Sequence, residues 1–405
     1  MEFYNPLPAV AIGGPPHSGK SVLAYSLTRA LRERAVPHYL LRAYPPDGEG
    51  DWFLEGEPDL VRHLRIKGAA GDRWLPLLRR DVARRHLPLI VDMGGLPTPE
   101  QESVLDECTH GILLTPSEGA RREWADCFAA HGLVLLADLR SDLWGENRLE
   151  AAEPVVRGVL AGLERGKRAS GPAFDALVAR LAVLFGPFAA DLYRRHMATA
   201  PAELVVDLER LAQGMGRDPT GWRPGDLPAV LDYLPAGEPL ALYGRGPNWL
   251  YAAAAVHALP APFFLFDVRL GWTAPPTLSV GAPSAAPLRV ETRREEGAPV
   301  ARMTFSLPEA YLDITEVEGL VVPAPSAEEL MLSGKLPLWL WAGLARLYAP
   351  RTSWLAVAQP QLTAQGLGWA VVVHSRGTPP VGSVIGLQGG ETGIGDSHNE
   401  PEIAR

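Results

Sequence analysis

Cysteine is scarce: Cys108 and Cys127 are the two in 405 residues. Two thiols make neither a disulfide framework nor a cysteine-built zinc cluster, which points to a reducing compartment. Long apolar runs are also missing. The longest, residues 250–266, is broken by His257, Pro260 and Pro262 and is too short to cross a bilayer. Positive charge is in deficit, with 38 Lys and Arg against 47 Asp and Glu and a net charge of −9. That balance argues against duplex nucleic acid as a partner, because duplex binding draws its affinity from cationic surface. The first residues, Met1-Glu2-Phe3, lack a basic n-region, so no signal peptide is expected. A cytoplasmic protein with no membrane partner is therefore expected.

What is present is globular: 47% hydrophobic and 21% charged residues. The 41 glycines and 39 prolines are non-periodic and read as many turns. Over residues 8–168 short apolar runs alternate with helical patterns, which implies a parallel α/β sheet. Strands are expected at 8–13, 36–43, 87–92, 111–115 and 133–138, and helices at 21–34 and 72–85. Residues 174–198 read as one or two helices interrupted at Gly186-Pro187. The expected units are an N-terminal domain over 1–165, a helical linker over 166–200, a first repeat over 201–300, a second over 301–388 and a disordered tail over 389–405.

Gly14-Pro15-Pro16-His17-Ser18-Gly19-Lys20-Ser21 has the spacing G-x-x-x-x-G-K-S between an expected strand and an expected helix. This is the P-loop pattern, and its context is the one that confirms it. Backbone N–H groups of Gly14, His17, Ser18 and Gly19 and of the helix start would face phosphate oxygens. Lys20 would supply a point charge, and the Ser21 hydroxyl would ligate Mg²⁺. Asp92 closes the apolar run 87–91, where a carboxylate can hold the same cation. No N-K-x-D guanine signature occurs, so ATP with Mg²⁺ is the expected ligand. Arg79, Arg80, Arg84 and Arg85 fall on one helix and read either as a phosphate clamp or as a solvated face, with the solvated face favoured. Asp47, Glu49 and Asp51 form an acidic glycine-rich loop with either a binding or a purely solvated role.

The C-terminal half carries an internal repeat. Gly244-Arg245-Gly246-Pro247-Asn248-Trp249-Leu250-Tyr251 matches Gly334-Lys335-Leu336-Pro337-Leu338-Trp339-Leu340-Trp341 at an offset of 90 residues. In each copy an apolar strand precedes the turn, and a helix and a second strand follow, which indicates duplication. Trp249, Trp339 and Trp341 sit at helical spacing behind a proline, and core positions are expected rather than base-stacking ones. Asp267 and Arg269 share a face if the strand at 263–266 extends through them. Such a pair can take a 2′-OH proton and neutralise phosphate charge, or it can be a structural ion pair at a strand end.

On these residues the chain resembles the CRISPR-associated ring nucleases of the "Csx-three" type joined to an N-terminal P-loop domain. The features that carry the resemblance are 242–247 with Trp249-Leu250, the run Asp267-Val268-Arg269-Leu270-Gly271, and in the second copy 332–335 with Pro337, Trp339 and Leu340. Gln359-Pro360-Gln361-Leu362 and the strand 370–375 follow. The resemblance implies an α/β fold with a P-loop NTPase domain ahead of two tandem Rossmann-like (CARF-related) repeats. It implies binding of cyclic tetraadenylate at Gly244, Arg245, Gly246, Ser333, Gly334 and Lys335. It also implies ring cleavage with manganese through Asp267 and Arg269, a two-fold arrangement and a homo-oligomer. The family places a His shortly before the Asp, and His257 is the nearest candidate here. The second copy has Gln359 and Gln361 at the positions of Asp267 and Arg269, so that copy is expected to bind without cleaving.

Overall fold

The computed structural model describes residues 7–43, 74–95, 97–164, 166–218, 221–282, 287–294, 300–308, 311–359 and 369–386. The acidic loop at 47–51, Gln361 and the expected tail lie outside these residues.

The N-terminal half is built on β1 (Ala9–Gly13), α1 (Lys20–Glu33), β2 (Tyr39–Ala43), α2 (Trp74–Ala83), β3 (Leu89–Met93), α3 (Pro99–Glu102), β4 (His110–Thr115), α4 (Glu118–Ala130), β5 (Val134–Asp142), β6 (Arg148–Ala151) and β7 (Val156–Ala161). The strands form one sheet in the order β2-β3-β1-β4-β5-β7-β6, parallel apart from β6. β1 and β3 are buried along their whole length, as central strands covered on both faces must be. Leu23, Leu27 and Leu31 recur every four residues on α1 and close one face. Trp74, Leu78 and Val82 of α2, with Trp124 and Phe128 of α4, close the other.

Two further helices follow, α5 (Pro172–Phe185) and α6 (Ala189–Ala198), separated by a 3₁₀ turn at Gly186–Phe188. By length and apolar composition Pro172–Ala198 could cross a membrane. Its apolar character has a local use here. Phe174, Leu177, Val178, Leu181 and Phe185 fill the first core beside α1, so α5 belongs to the first sheet and is not a linker.

The C-terminal half contains β8 (Val205–Asp207), α7 (Leu208–Gly214), α8 (Leu227–Tyr233), β9 (Leu240–Tyr243), α9 (Asn248–His257), β10 (Phe263–Asp267), β11 (Gly271–Thr273), β12 (Ser279–Val280), β13 (Arg289–Arg294), β14 (Val300–Ser306), β15 (Val321–Val322), β16 (Glu329–Gly334), α10 (Leu338–Tyr348), β17 (Trp354–Gln359), β18 (Trp369–Ser375) and β19 (Val384–Gly386). One sheet runs β11-β10-β9-β8 and another β13-β14-β16-β17-β18-β19. Reading β8, β9, β10 and β11 against β14, β16, β17 and β18 gives the same order and the same senses: three parallel strands, then an antiparallel one.

Both copies enter their helix through an extended proline N-cap, Pro247 or Pro337. The two helices lie between the sheets. α9 packs on β17 and β18, and α10 packs on α9 and β10. A helix apolar all round must be buried on every side, and Trp249, Trp339 and Trp341 are fully buried as core positions. A single hydrophobic core spans both copies, from Val206 to Val373.

Candidate functional site

The C-terminal edge of the first sheet carries the P-loop pattern. Gly19 takes φ +89 at the N-cap of α1, where a Cβ would also strike Leu163 at 2.6 Å. Glycine therefore lets the loop turn into the helix. The first helical bond there runs from the Leu23 N–H to the Gly19 carbonyl, so the preceding N–H groups have no acceptor within the helix. Gly14 passes so close to β4 that a Cβ would lie 2.1 Å from the Leu114 carbonyl. His17 is exposed with φ 65, and Ser18 is buried under the loop.

Lys20 Nζ folds back to donate to the carbonyls of Gly14 (2.6 Å) and Pro15 (2.8 Å). Burial pulls its pKa down to about 8, against an opposing pull from the Asp92 carboxylate. Ser21 Oγ donates to Asp92 Oδ2 at 2.9 Å. Two oxygens binding one Mg²⁺ at about 2.1 Å and at right angles stand roughly 3 Å apart, so this hydroxyl and carboxylate fit a shared cation. Arg42 Nε lies 3.9 Å from the same Asp92 oxygen.

The turn edges of the tandem half are differently furnished. The turn Gly244-Arg245-Gly246 follows β9, and Gly334, the last residue of β16, leads into Lys335. Gly334 holds φ +145 with a hypothetical Cβ only 2.3 Å from the Phe305 carbonyl, so only glycine fits. Asn248 Nδ2 donates to the Ala358 carbonyl (3.0 Å), which sets the start of α9 beside the end of β17 and both turns on one side. Ser333 is buried in β16 and bonds Thr304 Oγ1 at 2.8 Å, so its hydroxyl belongs to the sheet. Arg245 is exposed, and its charge reaches His38 at the base of the first sheet.

Asp267 ends β10. Its Oδ1 accepts the backbone N–H groups of Arg269 (2.8 Å) and Leu270 (3.2 Å), which shapes the turn into β11. Arg269 Nε stands 3.9 Å from that oxygen, and the guanidinium lies over the Tyr311 ring, 5.0 Å from its centroid.

His257 is not with them. It closes α9 at the opposite edge, where its Nε2 meets the Leu234 carbonyl at 2.9 Å and its own carbonyl accepts from Gly237. Ten helical residues at 1.5 Å each carry it about 15 Å from the turn edge. It lines a mostly apolar cavity of about 290 Å³ with Val256, Pro350 and His374.

Residues from the N-terminal half meet the Asp267 turn instead. His86, just before β3, lies against Gly271 and edge-on to Phe266. His196 of α6 packs tilted against Phe266, with ring centroids 4.2 Å apart, and bonds Tyr243 Oη at 2.9 Å. Burial lowers the pKa of both imidazoles, His196 to about 4.

At the end of α2, Asp81 accepts a short hydrogen bond from Tyr311 Oη and pairs with Arg80 at 2.9 Å. Arg80 also reaches Asp313 at 2.5 Å. Tyr311 is buried in the core that α2 and α4 form on the first sheet, alongside Trp74 and Leu78. Burial pushes the Asp81 pKa up, against the pull of Arg269 and Arg80. Burial works the same way on Asp313, but hydrogen bonds from Thr315 and Arg80 outweigh it and hold that carboxyl low.

The arginine cluster therefore has structural uses. Arg79 pairs with Asp106 and Glu107, and Arg85 is buried with its donors on the Val82 and Glu107 carbonyls. Sequence reasoning flagged Arg80 only as one of a cluster and gave no sign of Asp81, His86, His196, Tyr311 or Asp313.

Residues 306–386 match the family model described as CRISPR-associated protein (Cas_csx3). This stretch is similar to that family and takes in Tyr311, Asp313, the 334–335 turn, α10 and β17–β19. No curated protein matches the chain.

Proposed function

We propose that this is a type III CRISPR accessory protein that binds cyclic tetraadenylate at its tandem turns and ATP·Mg²⁺ at its P-loop. In this reading the two sites are coupled. The observation that carries it is the clasp at the base of the first sheet. Arg80 and Asp81 of α2 grip Tyr311 and Asp313, inside the Cas_csx3-like stretch, and Arg269 lies on the same tyrosine. α2 leads into β3, whose other end carries Asp92. One helix–strand unit thus touches both proposed sites.

At the P-loop, the N–H groups of the loop and of the α1 start bind the phosphates, with Lys20 turning from the Gly14 and Pro15 carbonyls towards them. Ser21 and Asp92 would hold Mg²⁺, which neutralises charge on the phosphate oxygens when bound. In the tandem half, the backbone of both turns with Arg245 and Lys335 meets the ring phosphates. Asp267 takes the proton of a ribose 2′-OH, that oxygen attacks the adjacent phosphorus to form a 2′,3′-cyclic phosphate, the P–O5′ bond breaks, the leaving 5′-oxygen takes a proton from water, and Arg269 offsets charge on the phosphate. Asp267 and Arg269 are engaged by the turn and by Tyr311 here, so ring opening requires the clasp to loosen.

The test is incubation with cyclic tetraadenylate and Mn²⁺, with and without ATP, followed by chromatography. Linear adenylates that depend on ATP and vanish in Asp267→Ala are expected. Ring opening at the wild-type rate in Asp267→Ala would remove the Asp from the chemistry.

A second reading is favoured by one observation: the described structure brings no imidazole of α9 to Asp267. The tandem half is then a sensor, and the P-loop half is an effector ATPase or kinase. Ligand-dependent ATP turnover that survives Asp267→Ala and is lost in Lys20→Ala would select it. Turnover indifferent to the ligand would reject it.

A further inference from the structure

At the end of α4, one thiol, one imidazole and two carboxylates converge. Cys127 and His131 stand four residues apart, on one face of α4 and its C-cap. Glu102 closes α3, and Asp106 sits in the 3₁₀ turn Leu105–Glu107 that follows. One donor atom each from Glu102, Cys127 and His131 lies within 4.8 Å of the others, and all three residues are half-buried.

The two nitrogens of His131 have different neighbours. Nδ1 is 2.7 Å from Asp106 Oδ1, whereas Nε2 faces Glu102 Oε2 at 3.7 Å. Arg79 lies 3.6 Å from the other Asp106 oxygen. An imidazole that gives its Nδ1–H to a carboxylate presents a neutral Nε2 lone pair, the orientation found behind metal-bound histidines. Bonds of about 2.0–2.3 Å in a tetrahedral centre separate ligand atoms by about 3.3–3.7 Å, and the Nε2–Oε2 spacing already matches.

We infer that Glu102, Cys127 and His131 form a binding site for a borderline-soft divalent cation of the Zn²⁺ type, with Asp106 orienting the imidazole. Thiolate, imidazole and carboxylate together suit Zn²⁺ better than Mg²⁺ or Ca²⁺, which take oxygen ligands. Thiolate and carboxylate balance the dication, and the thiol proton is released to solvent. Burial and the charges of Glu102 and Glu123 push the free thiol up to about 11. The bound cation would pin the end of α4 to the α3 segment, which connects β3 to β4. The low cysteine count excludes a cysteine-built cluster but leaves this mixed donor set open.

The test uses the full chain, stripped with chelator and titrated with Co²⁺. One equivalent should raise a thiolate-to-cobalt charge-transfer band in the near ultraviolet, and Zn²⁺ should displace it. Cobalt at the oxygen donors of the P-loop gives no such band. The band should be lost in Cys127→Ser, weakened in His131→Gln and kept in Cys108→Ser, with circular dichroism of the stripped variants unchanged. No band at saturating Co²⁺, or a band that survives Cys127→Ser, overturns the assignment. Because His131→Gln leaves the thiol in place, it reads the site even where Cys127→Ser fails to fold.

Discussion

Two strand ends in this molecule hold a similar kit and use it differently. At the end of β3, Asp92 meets the Ser21 hydroxyl beside a lysine and a helix start. At the end of β10, Asp267 also stands at a turn that closes on a glycine, Gly271, with a guanidinium at hand. The first set bonds internally and at the spacing of a shared cation. The second is taken up by its own hairpin and by a tyrosine held from the other half of the chain. Position at the C-terminal edge of a parallel strand therefore does not by itself make a carboxylate available. What docks against that edge decides it.

The largest expected effect bears on the docked side. Asp81→Ala leaves the buried Tyr311 hydroxyl without its acceptor, which costs about 1–3 kcal/mol, and removes one of the two carboxylates on Arg80, which adds to that loss. Urea unfolding should show that loss. A change under about 0.5 kcal/mol would mean that the clasp contributes nothing and that the two strand ends are alike.

Lys20→Ala probes the other side. Losing a hydrogen bond to charged phosphate costs about 1.5–3 kcal/mol, so ATP affinity should fall roughly 10- to 100-fold by calorimetry. Unfolding stability should hardly move, because the ammonium is costly to bury. Wild-type affinity would remove Lys20 from the phosphate site.

A smaller, graded effect comes from pH. Free Lys20 loses its proton near pH 8, below the ordinary lysine value of 10.5. Bound phosphate favours the charged form, so ATP affinity should fall by at most tenfold per unit as pH climbs above 8. Stability should move oppositely. Between pH 8 and 10.5 the unfolded chain holds the extra proton, so the burial penalty of the charged lysine is relieved as pH rises. Flat ATP affinity from pH 7 to 10, or loss of this slope being absent in Lys20→Ala, would contradict the assignment.

How much of this could be read from sequence follows the same divide. The edge with the P-loop pattern lies on one contiguous loop plus one strand end, and its residues announce themselves by spacing. The duplicated turn-and-helix unit was visible for the same reason. The hairpin β6–β7 was not. Pro154 and Gly158 break the pattern there, yet Gly158 marks a close strand approach, with Arg148's carbonyl 2.1 Å from where a Cβ would sit. His257 misled because it closes α9 at the opposite edge, and β10 then carries the chain back across the sheet before it reaches Asp267. The clasp had no local signal, since Tyr311 and Asp81 are 230 residues apart. Such a contact is set only when three segments fold against one another.

The most direct test of coupling is calorimetric titration of cyclic tetraadenylate into the protein with and without saturating ATP·Mg²⁺, repeated in Arg80→Ala. Coupling between sites of 1–3 kcal/mol corresponds to roughly 5- to 150-fold in affinity. A nucleotide-dependent change of at least about fivefold, abolished in Arg80→Ala, is the predicted result. Equal affinity with and without ATP in the wild-type protein would contradict the claim that the clasp joins the two halves.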